Sequence, residues 1–293
     1  MTSLEDRIAA AFIAACRDEL EAPKPGNVHV FAAGHGWAVE DFLRSAEVAA
    51  GPIARRGASV GARILGAVEA THAAVGHNTN LGIVLLCAVL ARAAELRAAQ
   101  LRCGVADVLA SLDLQDARLA FRAIALAAPG GLGRAERHDV RQPATATLRE
   151  AMAEAAPRDR IAHQYATVFD DVFDLGVPLF DAAERRWGQD QRSAALAVYL
   201  GFLAAFPDTH IQRKHGAAAA AAVREEAAPL RVRLEAAADP VALLEDMLAF
   251  DASLKRRSLN PGASADLTVA VLFVRRLDGL RLPNILQSAR NND

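Results

Sequence analysis

Apolar residues recur at helical spacing along almost the whole chain, and alanine dominates them, which restricts the fold to closely packed helices. Alanine has the best helix propensity and lets helix axes approach closely. A large sheet would need alternating runs of Val, Ile, Tyr and Phe. Aromatic residues make up only 5% of the 293, too few for such runs. The expected fold is all-α, a multi-helix bundle with residues 1–293 as a single domain. A first helix is expected from Leu4 to Leu20, capped by Ser3 and stopped before Pro23-Lys24-Pro25-Gly26, where neither proline can continue it. Further helices are expected near 39–55, 58–75, 80–98, 145–155, 158–174, 178–187, 191–206, 209–235, 240–256 and 262–278. Loops are expected after Gly26 and from Pro129 to Pro143.

Charge excludes several function classes. A formal net charge of −2 gives no case for a nucleic-acid or acidic-membrane partner, so an anionic ligand must be held by a local cluster. Cys16, Cys87 and Cys103 are widely spaced, which fits buried reduced thiols and no structural zinc site. Glu5, Asp6 and Arg7 are unlike a signal peptide, and the longest uncharged apolar runs fall short of the roughly 20 residues that span a bilayer. A cytoplasmic location is expected.

The chemistry-bearing residues gather where loops run into helices. There, backbone N–H groups are unpaired and the helix dipole favours anions. Gly76-His77-Asn78-Thr79-Asn80-Leu81-Gly82 precedes an apolar helix and carries more amide side chains than one cap needs. The surplus can hold a ribose hydroxyl, a phosphate or a metal-bound water, or can serve elaborate capping. Pro207-Asp208-Thr209-His210 leads to Arg213 and Lys214, with His210 and Lys214 four apart on one face. A carboxylate ahead of adjacent cations suits a magnesium-bound triphosphate, and equally suits a cap with a solvated basic turn. In Ser258-Leu259-Asn260-Pro261-Gly262-Ala263-Ser264-Ala265-Asp266, Asn260 and Pro261 signal a helix start. Asp266 then enters an apolar helix where it needs a partner: a metal, a cation or solvent. The loop Lys24-Pro25-Gly26-Asn27-Val28-His29 reads as a rigid presenter of Lys24. His29, His35, His72, His77 and His138 show no metal-ligand spacing, and neither a Walker A loop nor a GxGxxG fingerprint is present.

In this order the motifs resemble the triphosphoribosyl-dephospho-CoA synthase family: Glu19 with Pro23-Lys24-Pro25-Gly26, Gly76 with Asn78-Thr79 and Gly82, Pro207-Asp208-Thr209 with Arg213, and Pro261-Gly262 with Ser264-Ala265-Asp266-Leu267. The resemblance spans nearly the whole chain. It implies an all-helical transferase that moves the triphosphoribosyl group of ATP to the 2′-hydroxyl of 3′-dephospho-CoA with release of adenine. Asn80-Leu81 stands where the family has a His-Lys pair, and Arg213-Lys214-His215-Gly216 replaces an Arg-Gly-Gly-like stretch, as in an archaeal and methylotroph branch. That branch suggests a different acceptor, in one-carbon carrier cofactor synthesis of the methanopterin or methanofuran type. A nucleotide N-ribosyl hydrolase or a non-catalytic nucleotide-binding helical protein would also accommodate these residues.

For the reaction, Glu19, His29 and His138 are the candidates for general acid–base work. Lys24, Asn27, Asn78, Thr79, Asn80, Arg213, Lys214, Asn260 and Ser264 are the candidates for substrate and phosphate binding. Asp208 and Asp266 are the candidates for Mg²⁺.

Overall fold

The computed structural model describes residues 2–32, 38–96 and 99–290, with side chains as far as Leu280. His35 and the final two residues of the helix expected over 80–98 lie outside the described residues. The described residues form fourteen α-helices. In order they are α1 (Leu4–Glu21), α2 (Val39–Ala54), α3 (Val60–Val75), α4 (Leu81–Glu95), α5 (Leu101–Ser111), α6 (Leu114–Ala127) and α7 (Leu148–Ala155). They continue as α8 (Arg160–Thr167), α9 (Val177–Trp187), α10 (Gln191–Ala205), α11 (Thr209–His215), α12 (Ala217–Ala236), α13 (Leu244–Arg256) and α14 (Gly262–Arg290). Among the described residues there is no strand, only an isolated bridge between His29 and Ala32. The all-α expectation holds.

Helices α4, α10 and α14 form the centre. In α4 every residue from Ile83 to Ala91 is buried, which explains why its sequence shows no polar face. Helix α14 packs on α1, α4, α10 and α11. Two buried tyrosines join the layers through their hydroxyls: Tyr165 donates to the Leu85 carbonyl and Tyr199 to the Pro25 carbonyl, each at 2.6 Å. No single helix among the described residues is long and apolar enough to cross a membrane.

The structure differs from the sequence reading at four points. Residues 101–127, which the reading left without assigned helices, form α5 and α6, and Asp113 starts α6 with a reciprocal cap to Asp116. The helix expected over 158–174 stops at Thr167, because Val168 and Phe169 both take positive φ before a π-helical turn at Asp171–Gly176. The helix expected over 209–235 is broken by Gly216, whose φ of 88° no other residue type adopts readily. Cys16 and Cys87 are buried as expected, but Cys103 is exposed.

Candidate active site

The loop after α1 is pinned from every side. Val30 donates its N–H back to the Leu20 carbonyl at 3.1 Å, and Gly26 donates to Asp251 Oδ1 at 2.9 Å. Gly26 has a φ of 79°, and an added Cβ would meet Leu254 and the Leu259 carbonyl within 2.9 Å, so only glycine lets this turn press on α13. The rigidity expected for the loop is there, but it does not present Lys24 to a ligand. Lys24 is fully buried, its ammonium bonded to Glu19 and, at 3.1 Å, to Asn27 Oδ1. Glu19 in turn reaches the cleft. Burial pushes the Glu19 carboxyl above its ordinary value while the Lys24 ammonium opposes the shift.

His29 also lies behind the loop. Its Nδ1 accepts from the Phe31 N–H at 3.2 Å, which leaves the proton on Nε2, 3.2 Å from Asp251 Oδ1. Burial, with Lys255 nearby, holds this imidazole neutral. Asp251 is shared with Lys255 at 2.9 Å, so His29 belongs to a network that fixes the loop and lines neither cavity described below.

Asp208 has no capacity left for a metal. Its Oδ1 accepts from the N–H groups of His210 and Ile211 at 2.9 and 3.2 Å, and its Oδ2 from the N–H and hydroxyl of Ser264, both at 2.8 Å. It is a buried clamp that caps α11 and ties it to the start of α14. Ser264, the other half of that clamp, is fully buried and lines neither cavity described below. Asn80 likewise turns inward, donating to Thr71 Oγ1 at 3.2 Å. Asn78 caps α4 instead, accepting from the Leu81 N–H at 3.0 Å, and Thr79 donates to Ser45 Oγ at 2.6 Å. Asn260 does not cap its own helix: its Oδ1 accepts from Asn27 Nδ2 at 2.8 Å, joining the first loop to the last.

Two neighbouring cavities, of about 440 and 490 Å³, share Leu81, Pro129, His210, Arg213 and Asp266 as lining. Volumes of this size are typical of nucleotide and cofactor sites. The larger lobe is the more polar of the two and is reached by Glu19, Asn27, Asn78, Thr79, Lys214 and Asn260. The smaller lobe has an apolar floor that includes Leu85, Phe121, Ile124 and Met152, and His138 lies on its wall. The structure thus brings nine of the fourteen sequence-derived candidates to one cleft and puts Lys24, His29, Asn80, Asp208 and Ser264 behind it.

Asp266 stands at the junction of the lobes. It accepts no hydrogen bond from the described residues and is half-buried, facing both lobes. Burial and the nearby carboxylates of Glu19, Asp208 and Asp159 push its carboxyl well up, against the pull of Arg213. Its carboxylate rests on the first turn of α4, where a Cβ on Gly82 would come within 2.0 Å of Oδ2. Gly82→Ala should therefore displace Asp266 and lower turnover about a hundredfold, with the thermal midpoint little changed. Steady-state rates beside a melting curve check this, and full activity in the variant would show that the position of Asp266 is immaterial.

Sequence reasoning missed His210 as a cleft residue, although it had noted its spacing. Its ring packs where a Cβ on Gly262 would sit, facing both lobes. It also missed Asp159, which caps α8 and pairs with Arg213 at 3.4 Å. The arginines of the 128–147 connection were missed as well, though three of them within one glycine- and proline-flanked loop were a readable signal.

Among the described residues, the one close group of three potential metal ligands is His163, Asp170 and Asp171. There Asp171 is already engaged by Arg160 at 2.6 Å on both oxygens. Glu19 and Asp266 form no such closed set. Asp266, a carboxylate without a hydrogen-bond donor among the described residues, nonetheless fits Mg²⁺, which takes one or two protein oxygens, substrate phosphates and waters.

Helices enclosing a two-lobed cleft, with Asp266 at the junction and Arg213 beside it, suit an enzyme that holds two substrates side by side. The chain belongs to the family of ATP:dephospho-CoA triphosphoribosyl transferases (CitG), whose sequence model matches residues 5–284. The fold is also that of a crystal structure from Archaeoglobus fulgidus, provisionally named a triphosphoribosyl-dephospho-CoA synthase. That structure has a TM-score of 0.62 and 21% identity, with 81% of this chain and 97% of that one covered. No curated protein matches the sequence.

Proposed function

We propose that the protein transfers the triphosphoribosyl group of ATP to the 2′-hydroxyl of 3′-dephospho-CoA and releases adenine. The observation that carries this reading is the meeting of a polar lobe and an apolar-floored lobe at Asp266, which gives each substrate its own space and one shared wall. In the transfer the C1′–N9 bond of ATP breaks and a C1′–O bond to the acceptor forms. The hydroxyl proton passes to a protein base, and adenine leaves with a proton on its ring.

Positive charge builds at C1′ in such a displacement, so carboxylates close to the reacting carbon stabilise it. Of the three sequence-derived acid–base candidates, Glu19 is the one placed in the polar lobe, and it is the base. Arg213 and Lys214 take the triphosphate, while Asn27, Asn78, Thr79 and Asn260 offer hydrogen bonds to ribose and phosphate oxygens. Asp266 would hold Mg²⁺, which would supply neutralising charge on the phosphates when bound. The hydrolase and binding-protein readings are not favoured, because family membership argues for transfer.

Chromatography for free adenine tests the reading, with purified protein, ATP and Mg²⁺ in the presence and absence of dephospho-CoA. Adenine release that depends on the acceptor, with a heavier CoA species formed, is the expected result. Release without acceptor would mean hydrolysis. Release only with a pterin or furan intermediate would move the protein to one-carbon carrier synthesis.

A further inference from the structure

The wall of the smaller lobe carries a set of cations that the transfer chemistry leaves unused. Arg134, Arg137 and Arg141, on the connection between α6 and α7, and Arg158, just before α8, all line it. Their charge is poorly compensated. Neither Arg134 nor Arg158 has an ion-pair partner among the described residues. Arg137 meets Glu154 at 3.4 Å largely in solvent, where such a pair is worth little, and Arg141 meets Asp139 at 3.4 Å with the arginine half exposed. Asp139 is further occupied by the N–H groups of Ala135 and Arg141, at 3.0 and 2.9 Å, so it shapes the loop more than it neutralises it.

The same loop is held in unusual conformations. Gly131, Gly133 and His138 all have positive φ, and His138 Nδ1 is buried without a hydrogen-bond partner. Packing fixes its start: Arg213 Nε donates to the Gly130 carbonyl at 3.0 Å, and Gly131 lies against the Arg213 stem. A shaped loop with surplus guanidinium groups above an apolar floor suits a ligand with a multiply charged anionic part and a long, weakly polar part.

We propose that this lobe is the acceptor subsite and takes a diphosphate-bearing molecule. Its diphosphate lies against Arg134, Arg137, Arg141 and Arg158, and its uncharged arm lies on Leu85, Phe121, Ile124 and Met152. The assignment rests on the two-substrate reading above and divides the cleft: ATP's triphosphate belongs to Arg213 and Lys214, the acceptor's diphosphate to the loop. Arg213 lines both lobes, so it is not diagnostic, and the loop arginines are.

The test is equilibrium titration of the wild type, the Arg134→Ala/Arg158→Ala double variant and Lys214→Ala with dephospho-CoA, ATP and inorganic pyrophosphate. All three substituted residues are exposed, so the variants should fold as the parent does. The double variant should lose at least roughly tenfold in affinity for dephospho-CoA while its ATP affinity changes little, and Lys214→Ala should do the reverse. Loss of ATP affinity in the double variant, or no change for either ligand, overturns the assignment. If the wild type fails to bind dephospho-CoA, that acceptor is wrong. The subsite is then read from pyrophosphate, whose binding must weaken in the double variant and not in Lys214→Ala for the proposal to stand.

Discussion

Asp266→Asn is expected to lower adenine release at least about a hundredfold, the scale set by loss of one positioned acid–base or metal-holding group, while leaving the fold intact. The two side chains are nearly equal in size, and no hydrogen bond from the described residues depends on the carboxylate. What disappears is its charge, at the wall between the lobes where the proposed transfer puts the reacting carbon. Stability should rise rather than fall. Burial and three neighbouring carboxylates push the Asp266 carboxyl above its ordinary value, so the folded state holds that proton more tightly than the unfolded chain does. The wild type therefore has its full share of stability below the unfolded value of about 3.9 and loses it as pH rises toward the raised one. The asparagine variant has no such loss, so its melting midpoint should gain on the wild type's as pH increases. A variant that keeps its activity, or one that melts early at neutral pH, would remove Asp266 from the chemistry.

Helix type was easy to read because alanine-rich periodicity needs no tertiary partner to be recognised. The breaks were harder. Gly216 ends α11 within a stretch that otherwise looks like one long helix, and Val168 and Phe169 accept positive φ only because packing over-determines them. Among site residues, the sequence marked segments that meet around one cleft but not the direction of each side chain. Asp208 and Asp266 look alike in sequence, each an acid near a helix start. Four donors converge on the first, and the second faces a cleft without a donor. Asn78 and Asn80 differ in the same way, since a shift of two residues near a helix start turns one to the cleft and the other to Thr71. Leu81 lines both lobes as an apolar residue, and the cations of the larger lobe, Arg213 and Lys214, come from α11.

Lys24 gives the clearest contrast between the two levels, and Lys24→Met decides it. In sequence the residue reads as a phosphate-binding cation on a stiff loop. In the structure it is wholly enclosed and bonded to Glu19. Removing one member of a buried pair costs about 3–5 kcal/mol when the other is left charged, so Lys24→Met should be markedly destabilised. The Glu19→Gln/Lys24→Met double variant should recover much of that loss, because no charge remains buried, and denaturant melts of the four proteins measure the coupling. Activity should follow the proton. A base works only when ionised, and without the ammonium the Glu19 carboxyl rises further above its ordinary value. The acid limb of the rate profile in Lys24→Met should move to higher pH, with activity depressed near neutrality and returning as the solution is made more alkaline. Glu19→Gln should show no such return. If Lys24→Met instead keeps its acid limb and raises the KM for ATP alone, the ammonium reaches phosphate after all, and the buried pair is not what sets the base.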